Sequence, residues 1–194
     1  MNDTLKRLTD ITIALPCLVA AMPFALFVYI VIKLEDHGPV FYFQERIGKG
    51  GKPFNIIKFR TMSVNTEEDG VPQLAEANDD RLTTVGKFLR SHHLDEIPQL
   101  WNVLRGDMSL VGYRPERKYF VDQIMEHDQR YTRLYEIRPG VTSYATLHNG
   151  YTDTMEKMLI RLDMDLHYLE HRSLWLDMRI LVQTFFNIVN GKKF

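Results

Sequence analysis

The sequence has little of several features that would assign it quickly to a class of protein. Cys17 is the only cysteine among 194 residues, which excludes an intramolecular disulfide and a metal site built from several cysteines. This usage is typical of a reducing compartment. The 24 basic and 25 acidic residues leave a net charge of −1, so no overall positive field favours nucleic acid. The sequence contains no internal repeat and no low-complexity segment, and its length suits one domain with a hydrophobic core.

One long apolar run lies near the N-terminus. The 22 residues Ile11–Ile32 contain no charge, and a helix of that length reaches roughly 33 Å, enough to cross a bilayer core. The absence of a small-residue cleavage site argues against a signal peptide. Two geometries stay open: a tilted transmembrane helix, and a re-entrant segment that bends at Pro23 and leaves on the face it entered. Basic residues on both sides of the run suit the second geometry, although proline also occurs in ordinary membrane helices.

The stretch Arg90–Glu116 carries the densest group of reactive side chains. Within it, the apolar residues of Leu94–Arg105 recur close to every 3.6 positions, which predicts an amphipathic helix. Asp95 is a suitable N-cap for this helix, and Gly106 stands where a glycine commonly follows a helix.

Asp95 and Glu96 are therefore predicted at a helix N-terminus, where the helix dipole favours anions and nearby phosphate. Acidic residues in a first helical turn are also ordinary capping chemistry. Arg114, which a following proline restrains, favours the phosphate site over simple capping. A fixed arginine beside two carboxylates is what a site needs to hold a phosphate and attack it with a carboxylate.

The rest of the chain predicts short elements. Pro39–Glu45 and Pro53–Met62 read as two strands of a β-hairpin, and the glycine-rich turn between them lacks the spacing of a phosphate-binding loop. Thr66–Asp80 is polar and acidic and is predicted to be a mobile loop. Further helices are predicted from a cap at Thr83 or Thr84, over Glu116–Glu136, and over Leu174–Val189, the last packing in the core or at a membrane interface.

Two groups of histidines could suggest a metal. His92 and His93 are adjacent, so on a helix they point in different directions and do not share a metal readily. Asp163, His167 and His171 recur every four residues on one helical face, a pattern more typical of a solvated stripe.

At the central stretch the chain resembles the bacterial sugar transferases, the monotopic polyprenyl-phosphate phosphoglycosyl transferases. The resemblance covers almost the whole chain and rests on an ordered set of segments, namely Lys6-Arg7, Pro23, Lys58–Met62, Arg90, Asp95–Leu100, Asn102-Val103, Gly106–Ser109, Arg114-Pro115 and Arg138–Thr142. Tyr113 departs from a common proline, and Ser143–Asn149 departs from the usual continuation. These differences bear on the sugar and acceptor contacts rather than on the reaction.

The resemblance implies an α+β fold: a mostly helical single catalytic domain with a small β-hairpin, over residues 37–194, and a re-entrant helix-break-helix membrane segment over residues 1–36. It implies transfer of a sugar 1-phosphate from a UDP-sugar to polyprenyl phosphate with release of UMP, the first membrane step of a bacterial glycoconjugate pathway. The expected location is the cytoplasmic face of the inner membrane, in the minimal form of the family. The sugar, the length of the lipid and the oligomeric state stay open, a homodimer included.

The resemblance also assigns roles to residues. Asp95 would attack the donor and carry a covalent phospho-sugar intermediate, and Glu96 would help to bind Mg²⁺ with it. Phosphate charge would be neutralised by Arg90, Arg114 and Arg138. Lys58 and Arg60 either face the donor phosphates or lie on a solvated strand edge. Lys6, Arg7 and Pro23 would anchor the membrane segment.

Two other functions use the same features. A membrane-associated, Mg²⁺-dependent phosphohydrolase would use the site with water as the acceptor. A non-catalytic anchored scaffold would keep the fold and bind partners instead.

Overall fold

The computed structural model describes residues 1–63, 80–150, 152 and 154–190, and it is mostly helical with two small sheets. The predicted mobile loop Thr66–Asp80 lies outside the described residues except for its last member. The seven helices of the described part are α1 Asp3–Asp36, α2 Thr84–Ser91, α3 Gln99–Arg105, α4 Lys118–His127, α5 Tyr144–Asn149, α6 Met155–His171 and α7 Leu174–Val189. The four strands there are β1 Phe41–Ile47, β2 Pro53–Phe59, β3 Ser109–Val111 and β4 Gly140–Thr142. Short 3₁₀ segments cover Lys49–Gly51, Leu94–Glu96 and Gln129–Glu136.

Helix α1 runs without interruption through Pro16 and Pro23. Asn2 caps its N-terminus by accepting a hydrogen bond from the backbone N–H of Thr4 at 2.9 Å. Its apolar run is long enough to cross a membrane by length and composition, with a mean hydropathy of 2.4, and most of it is uncovered by the rest of the protein. The helix-break-helix arrangement expected at Pro23 is therefore not seen as two separate helices.

Polar contacts attach both ends of α1 to the remainder of the chain. Near its N-terminus, Asp10 accepts hydrogen bonds from the Ser109 hydroxyl at 2.8 Å and from the backbone N–H of Leu110 at 3.1 Å. Near its C-terminus, Glu35 accepts hydrogen bonds from the backbone N–H groups of Thr84, at 2.8 Å, and Val85. The exposed apolar middle of the helix therefore lies between two attached ends.

The predicted hairpin is present, with boundaries shifted by a few residues. β1 and β2 pair antiparallel from Phe41 opposite Phe59 to Ile47 opposite Pro53. The turn between them places Gly50 and Gly51 at positive φ, which glycine tolerates because it has no Cβ. The segment after Phe59 leaves the ladder, although the backbone N–H of Arg60 still bonds the carbonyl oxygen of Val40.

A second, parallel sheet was not predicted from the sequence. β3 pairs with β4 in the register Ser109 opposite Gly140 and Val111 opposite Thr142. This ladder contacts α1, α3 and α7, and its neighbours Val103, Met108 and Tyr113 are fully buried in the main hydrophobic core. Three-residue strands carry too little alternation to be recognised, and their pairing depends on contacts about 30 positions apart.

Most predicted helix boundaries are close to those observed. Thr83 caps α2 through its hydroxyl and the backbone N–H of Gly86, and α7 has the predicted bounds Leu174–Val189. The predicted helix Glu116–Glu136 is instead α4 followed by a 3₁₀ segment. Asp128 separates the two, because its backbone is extended and its carboxylate caps the backbone N–H of Arg130.

Candidate active site

The segment that presents Asp95 and Glu96 is a 3₁₀ turn rather than the first turn of an α-helix. His93 precedes it in a left-handed conformation, with φ of 55°, and α3 begins only at Gln99. The predicted N-cap role of Asp95 is therefore wrong: Pro98 holds the position before α3, and it makes no side-chain cap. A left-handed residue other than glycine is strained, and such strain is concentrated at functional sites.

The C-terminal end of α3 agrees with the prediction. Gly106 has a φ of 96°, and its backbone N–H bonds the carbonyl oxygens of Asn102 and Val103. Glycine adopts this left-handed conformation without the penalty that a Cβ would bring. The α3 segment is thus held between a strained 3₁₀ turn and a glycine cap.

The pKa values of the two adjacent carboxylates are shifted in opposite directions. Asp95 is buried, and this burial raises its pKa to about 6; Lys58 acts in the opposite direction, and the negative charge of Glu96 adds to the rise. Burial also acts to raise the pKa of Glu96, but Lys58 and Arg114 outweigh it and hold that pKa well below its usual range. At neutral pH, Glu96 is the permanently charged, salt-bridged member, and Asp95 is the more basic carboxylate.

Two cations from distant parts of the chain converge on Glu96. The Lys58 ammonium, from β2, lies 2.6 Å from Glu96 Oε1, and Arg114 Nη2, from the loop after β3, lies 3.2 Å from the same oxygen. Arg90, at the end of α2, lies near enough to lower the pKa of Asp95. The structure thus brings together three of the predicted phosphate-binding cations around the pair.

Two other predicted cations contact backbone in other parts of the fold. The Arg60 guanidinium packs on Gly38, between α1 and β1, so closely that a Cβ added there would lie 2.0 Å from Nη1. Arg138 donates a hydrogen bond to the carbonyl oxygen of Gly106 at 2.9 Å, at the C-terminal end of α3. Asp95 precedes the N-terminal end of that helix, so the length of α3, about 10 Å, lies between the two positions. The phosphate-binding role of both arginines stays a prediction.

The basic pair predicted to anchor the membrane segment contacts protein. The Lys6 ammonium is buried and lies 2.9 Å from carboxylate oxygens of both Asp10 and Asp177. The Arg7 guanidinium donates to the carbonyl oxygens of Val103 and Leu104, the latter at 2.8 Å, where a cation complements the C-terminal end of α3. These contacts attach α1 to α3 and α7; an additional contact with lipid stays a prediction.

One residue that positions the site was matched in the sequence but given no role. The Asn102 side chain is fully buried, accepts a hydrogen bond from the backbone N–H of Ile57 at 3.1 Å, and donates one to the carbonyl oxygen of Asn55 at 2.8 Å. The Asn102 amide therefore bonds the backbone of β2 on the edge that does not face β1, in the way that a further strand would. Because Lys58 follows Ile57 directly, Asn102 fixes the strand that delivers Lys58 to Glu96. No local signal indicated this role, because Asn102 lies on the polar side of the predicted helix, where an asparagine is ordinary.

The residues that depart from the family pattern have structural roles. Tyr113 is fully buried in the core, and its hydroxyl lies 3.4 Å from the carbonyl oxygen of Ile47. Ser143 caps α5 through the backbone N–H of Thr146. How these departures affect the choice of substrate stays a prediction.

The histidine stripe on α6 makes surface contacts. Asp163 pairs with Arg130 at 2.8 Å, and the rings of His167 and His171 stack with centroids 4.2 Å apart. Across the described part of the chain, no three His, Cys, Asp or Glu side chains are grouped as a metal site would require. The Asp95–Glu96 pair nevertheless fits a Mg²⁺ ion that is shared with a substrate, since Mg²⁺ is commonly held by one or two carboxylates together with substrate phosphates and water.

These features define a class before any comparison. A long apolar helix is attached to a domain in which a buried and a partly buried carboxylate lie beside lysine and arginine. This is the arrangement of a membrane-associated protein with a site for anionic phosphate groups. The chain belongs to the bacterial sugar transferase family, whose model matches residues 1–191.

Curated relatives agree with this membership. The chain is 41% identical, over 96% of its length, to the UDP-N-acetylgalactosamine-undecaprenyl-phosphate N-acetylgalactosaminephosphotransferase of Aeromonas hydrophila, of which it covers 44%. It is 42% identical to two UDP-glucose:undecaprenyl-phosphate glucose-1-phosphate transferases. In Klebsiella pneumoniae the match covers 96% of this chain and 40% of the relative, and in Caulobacter vibrioides it covers 94% and 68%. The chain therefore spans about two fifths of the length of the first two relatives.

Proposed function

We propose that this chain transfers a sugar 1-phosphate from a UDP-sugar to a polyprenyl phosphate such as undecaprenyl phosphate, with release of UMP. The observation that carries the proposal is the Asp95–Glu96 pair, in which a buried carboxylate of raised pKa lies beside a salt-bridged one among Lys58, Arg90 and Arg114. The relatives' reactions, as their names state them, support the same chemistry. The reaction would open a bacterial glycoconjugate pathway at the cytoplasmic face of the inner membrane.

Asp95 is the nucleophile in this proposal. Its carboxylate oxygen forms a bond to the phosphorus that bears the sugar, and the bond from that phosphorus to the UMP oxygen breaks, so that UMP leaves with the electron pair. An oxygen of the lipid phosphate then attacks the same phosphorus, and Asp95 is released as a carboxylate. A pKa near 6 supports this role because about 90% of the group is ionised at pH 7, while it stays more basic than an ordinary aspartate.

The surrounding charges explain why a covalent intermediate is useful. The donor and the acceptor are both highly anionic, so their direct reaction is opposed by repulsion, and a bound intermediate separates the two encounters. Lys58 and Arg114 neutralise Glu96 in the free protein and would share their hydrogen bonds with an arriving phosphate. Arg90 adds positive charge on the side of Asp95.

Mg²⁺ is part of the proposal. Asp95 and Glu96 would hold it, and when bound it would neutralise the diphosphate and stabilise UMP as a leaving group. The pair suits a divalent cation because such an ion relieves the mutual repulsion of two adjacent carboxylates.

We also propose that α1 enters and leaves the membrane on one face. Its N-terminal part is bonded to β3 and its last turn to α2, so both ends are attached to the part of the chain that carries the site. A helix that crossed the bilayer would place one of those ends on the opposite side of the membrane, away from the part of the chain to which it is bonded. The exposed apolar middle, with Pro16 and Pro23 inside it, would then lie in the lipid.

The reaction is tested by measuring UMP release from purified protein in nanodiscs, with Mg²⁺, a panel of UDP-sugars, and undecaprenyl phosphate present or absent. We expect release that depends on the lipid with one or two of the sugars, and a phospho-sugar adduct on the wild-type chain. Asp95→Asn should form no adduct, whereas Asp122→Asn, at an exposed carboxylate on α4, should behave as wild type.

The outcomes separate the functions that share this site. Steady release without lipid would identify a phosphohydrolase instead. An Asp95→Asn chain that turned over at the wild-type rate would refute the assignment of the nucleophile. Absence of turnover across a broad panel, together with retained donor binding, would favour a scaffold.

The membrane geometry has its own test. In a Cys17→Ser background, Thr4→Cys and His37→Cys place single thiols before and after the apolar run. A membrane-impermeant thiol reagent should label both positions from the same side of sealed vesicles. Labelling from opposite sides would show that the helix crosses the bilayer.

A further inference from the structure

Glu116 joins three parts of the fold through a buried carboxylate. Its Oε2 lies 2.9 Å from Arg46 Nη1 on β1, and its Oε1 lies 2.8 Å from Arg161 Nη2 on α6. Glu116 and Arg161 are both almost inaccessible to solvent. Arginine is suited to such buried pairs because its planar fork donates several hydrogen bonds in fixed directions.

The same contacts hold the backbone that carries Arg114. Arg46 Nη1 also donates to the carbonyl oxygen of Pro115 at 3.3 Å, and the Glu116 carbonyl oxygen accepts from the backbone N–H of Ile47 at 3.0 Å. The backbone N–H of Arg114 is also near enough to the buried carboxylate of Asp165 on α6 to lower the pKa of that group against the effect of burial. The segment after β3 is thus held from β1 on one side and from α6 on the other.

The Arg114 side chain has weaker restraints of its own. About 36% of it is exposed, and it meets Glu96 through one nitrogen at 3.2 Å. The positive charges of Arg46 and Arg114 repel each other, and the negative charge of Glu116 attracts both of them. If Glu116 lost its charge, Arg46 and Arg161 would be left buried without it, and Arg46 would repel Arg114 more strongly.

We propose that Glu116 is a positioning residue, whose buried ion pairs with Arg46 and Arg161 keep Arg114 on Glu96 in the active site. This inference rests on the proposed transfer reaction, in which Arg114 neutralises phosphate charge. Glu116 touches neither of the carboxylates at which the chemistry takes place, so it acts only through Arg114.

A double-mutant cycle between Glu116 and Arg114 tests the inference. Glu116→Gln keeps the shape of the side chain and removes its charge; it should lower kcat for UMP release roughly 10- to 100-fold, because a misplacement of about 1 Å in a site has effects of that size. In an Arg114→Ala background the same change should lower kcat no further. The matched control is Ile124→Ala, at a fully buried core residue of α4, which should reduce thermal stability but give the same ratio of rates in both backgrounds.

Amide hydrogen exchange supplies a readout that does not depend on turnover. Without substrate, Glu116→Gln should speed exchange over residues 112–117 more than Ile124→Ala does. If Glu116→Gln does not fold, Arg161→Lys keeps the charge and loses the fork, and it should show the same pattern to a smaller degree.

The outcomes separate the two proposals. If the effects of Glu116→Gln and Arg114→Ala on kcat multiply, and exchange near residue 114 is unchanged, Glu116 is only a structural residue and the inference is wrong. If the wild-type chain turns over no donor, the proposed function fails, and the exchange pattern alone then decides whether Glu116 holds the Arg114 segment.

Discussion

Replacing Lys58 by methionine should change the pH dependence of the reaction as well as its rate. Lys58 is the charge that lowers the pKa of Asp95 most, and burial raises that pKa to about 6 despite it. Lys58 lies 2.6 Å from the neighbouring Glu96, and a unit charge taken at about 6 Å from a carboxylate, at an effective dielectric constant near 20, contributes about 2.8 kcal/mol, or about two pKa units. Because Lys58 is partly exposed, we expect about half of this shift, which places the pKa of Asp95 about one unit higher.

The direction follows from the form of Asp95 that reacts. In the proposed mechanism the carboxylate of Asp95 must be ionised to attack, so a higher pKa moves the acidic limb of the profile to higher pH. At pH 6 about half of the wild-type Asp95 is ionised, and about a tenth of it would be ionised in Lys58→Met, whereas at pH 8 nearly all of it is ionised in both. The ratio of variant to wild-type kcat/KM should therefore rise about fivefold from pH 6 to pH 8. Loss of Lys58 also raises the pKa of Glu96, but Arg114 still lies 3.2 Å from its carboxylate and keeps it ionised over this range of pH.

The assay is kcat/KM for UMP release between pH 5.5 and 8.5 at constant Mg²⁺ and ionic strength. Lys118→Met, at an exposed lysine on α4 that pairs with Asp122, is the control and should keep the wild-type profile. If Lys58→Met lowers kcat/KM by the same factor at every pH, and the acidic limb of the pH profile is not shifted, Lys58 only binds phosphate. A limb displaced to lower pH would refute the electrostatic reasoning.

Three further predictions concern stability and are read from chemical or thermal unfolding. Asn102→Ala leaves the buried backbone groups of Ile57 and Asn55 without their partner and should lower the free energy of unfolding by about 3 kcal/mol; a loss below about 1 kcal/mol would contradict the strand-like role. Gly112→Ala places a Cβ 2.4 Å from the carbonyl oxygen of Arg138, which cannot move as a side chain would, and should cost more than about 3 kcal/mol; wild-type stability would contradict that close approach. Burial raises the pKa of Asp165 to about 7 in the fold, so the free energy of unfolding should fall as pH rises from about 4 through 7 and the buried carboxyl loses its proton. Asp165→Asn should flatten this dependence of stability on pH and raise the free energy of unfolding by up to about 4 kcal/mol at pH 8. The same pH dependence in the variant as in the wild type would argue against the raised pKa.

Local features of the sequence predicted much of the secondary structure. The apolar run of α1, the bounds of α7, the cap at Thr83 and the glycine after α3 are recognisable because each depends on residues within a few positions of one another. The prediction of Asp95 as an N-cap failed for a local reason of another kind. The chain enters this segment through a left-handed residue at position 93, forms a 3₁₀ turn and begins α3 only after Pro98, and periodicity does not distinguish such a turn from a regular helix start.

Which residues form the site was harder to predict from the sequence than the chemical groups that the site uses. Paired carboxylates and several cations were evident in the sequence, where Arg90, Arg114 and Arg138 were predicted to contact phosphate and Lys58 and Arg60 were left open between phosphate and a solvated strand edge. The fold brings Lys58, Arg90 and Arg114 to the pair, packs the Arg60 guanidinium on Gly38 and bonds Arg138 to the carbonyl oxygen of Gly106. Each of these positions is set by packing between elements that are far apart in the chain.

By itself, the sequence determined the kinds of groups that this protein uses: an apolar helix, two adjacent carboxylates, and arginines restrained by proline and glycine. Only the tertiary structure decided which carboxylate is salt-bridged and which has a raised pKa, because burial and charge separation are properties of space rather than of residue type. It alone also placed the supports of the site, Asn102 beneath β2 and Glu116 between β1 and α6. Their contacts join residues about 45 or more positions apart, and no local pattern encodes such distances.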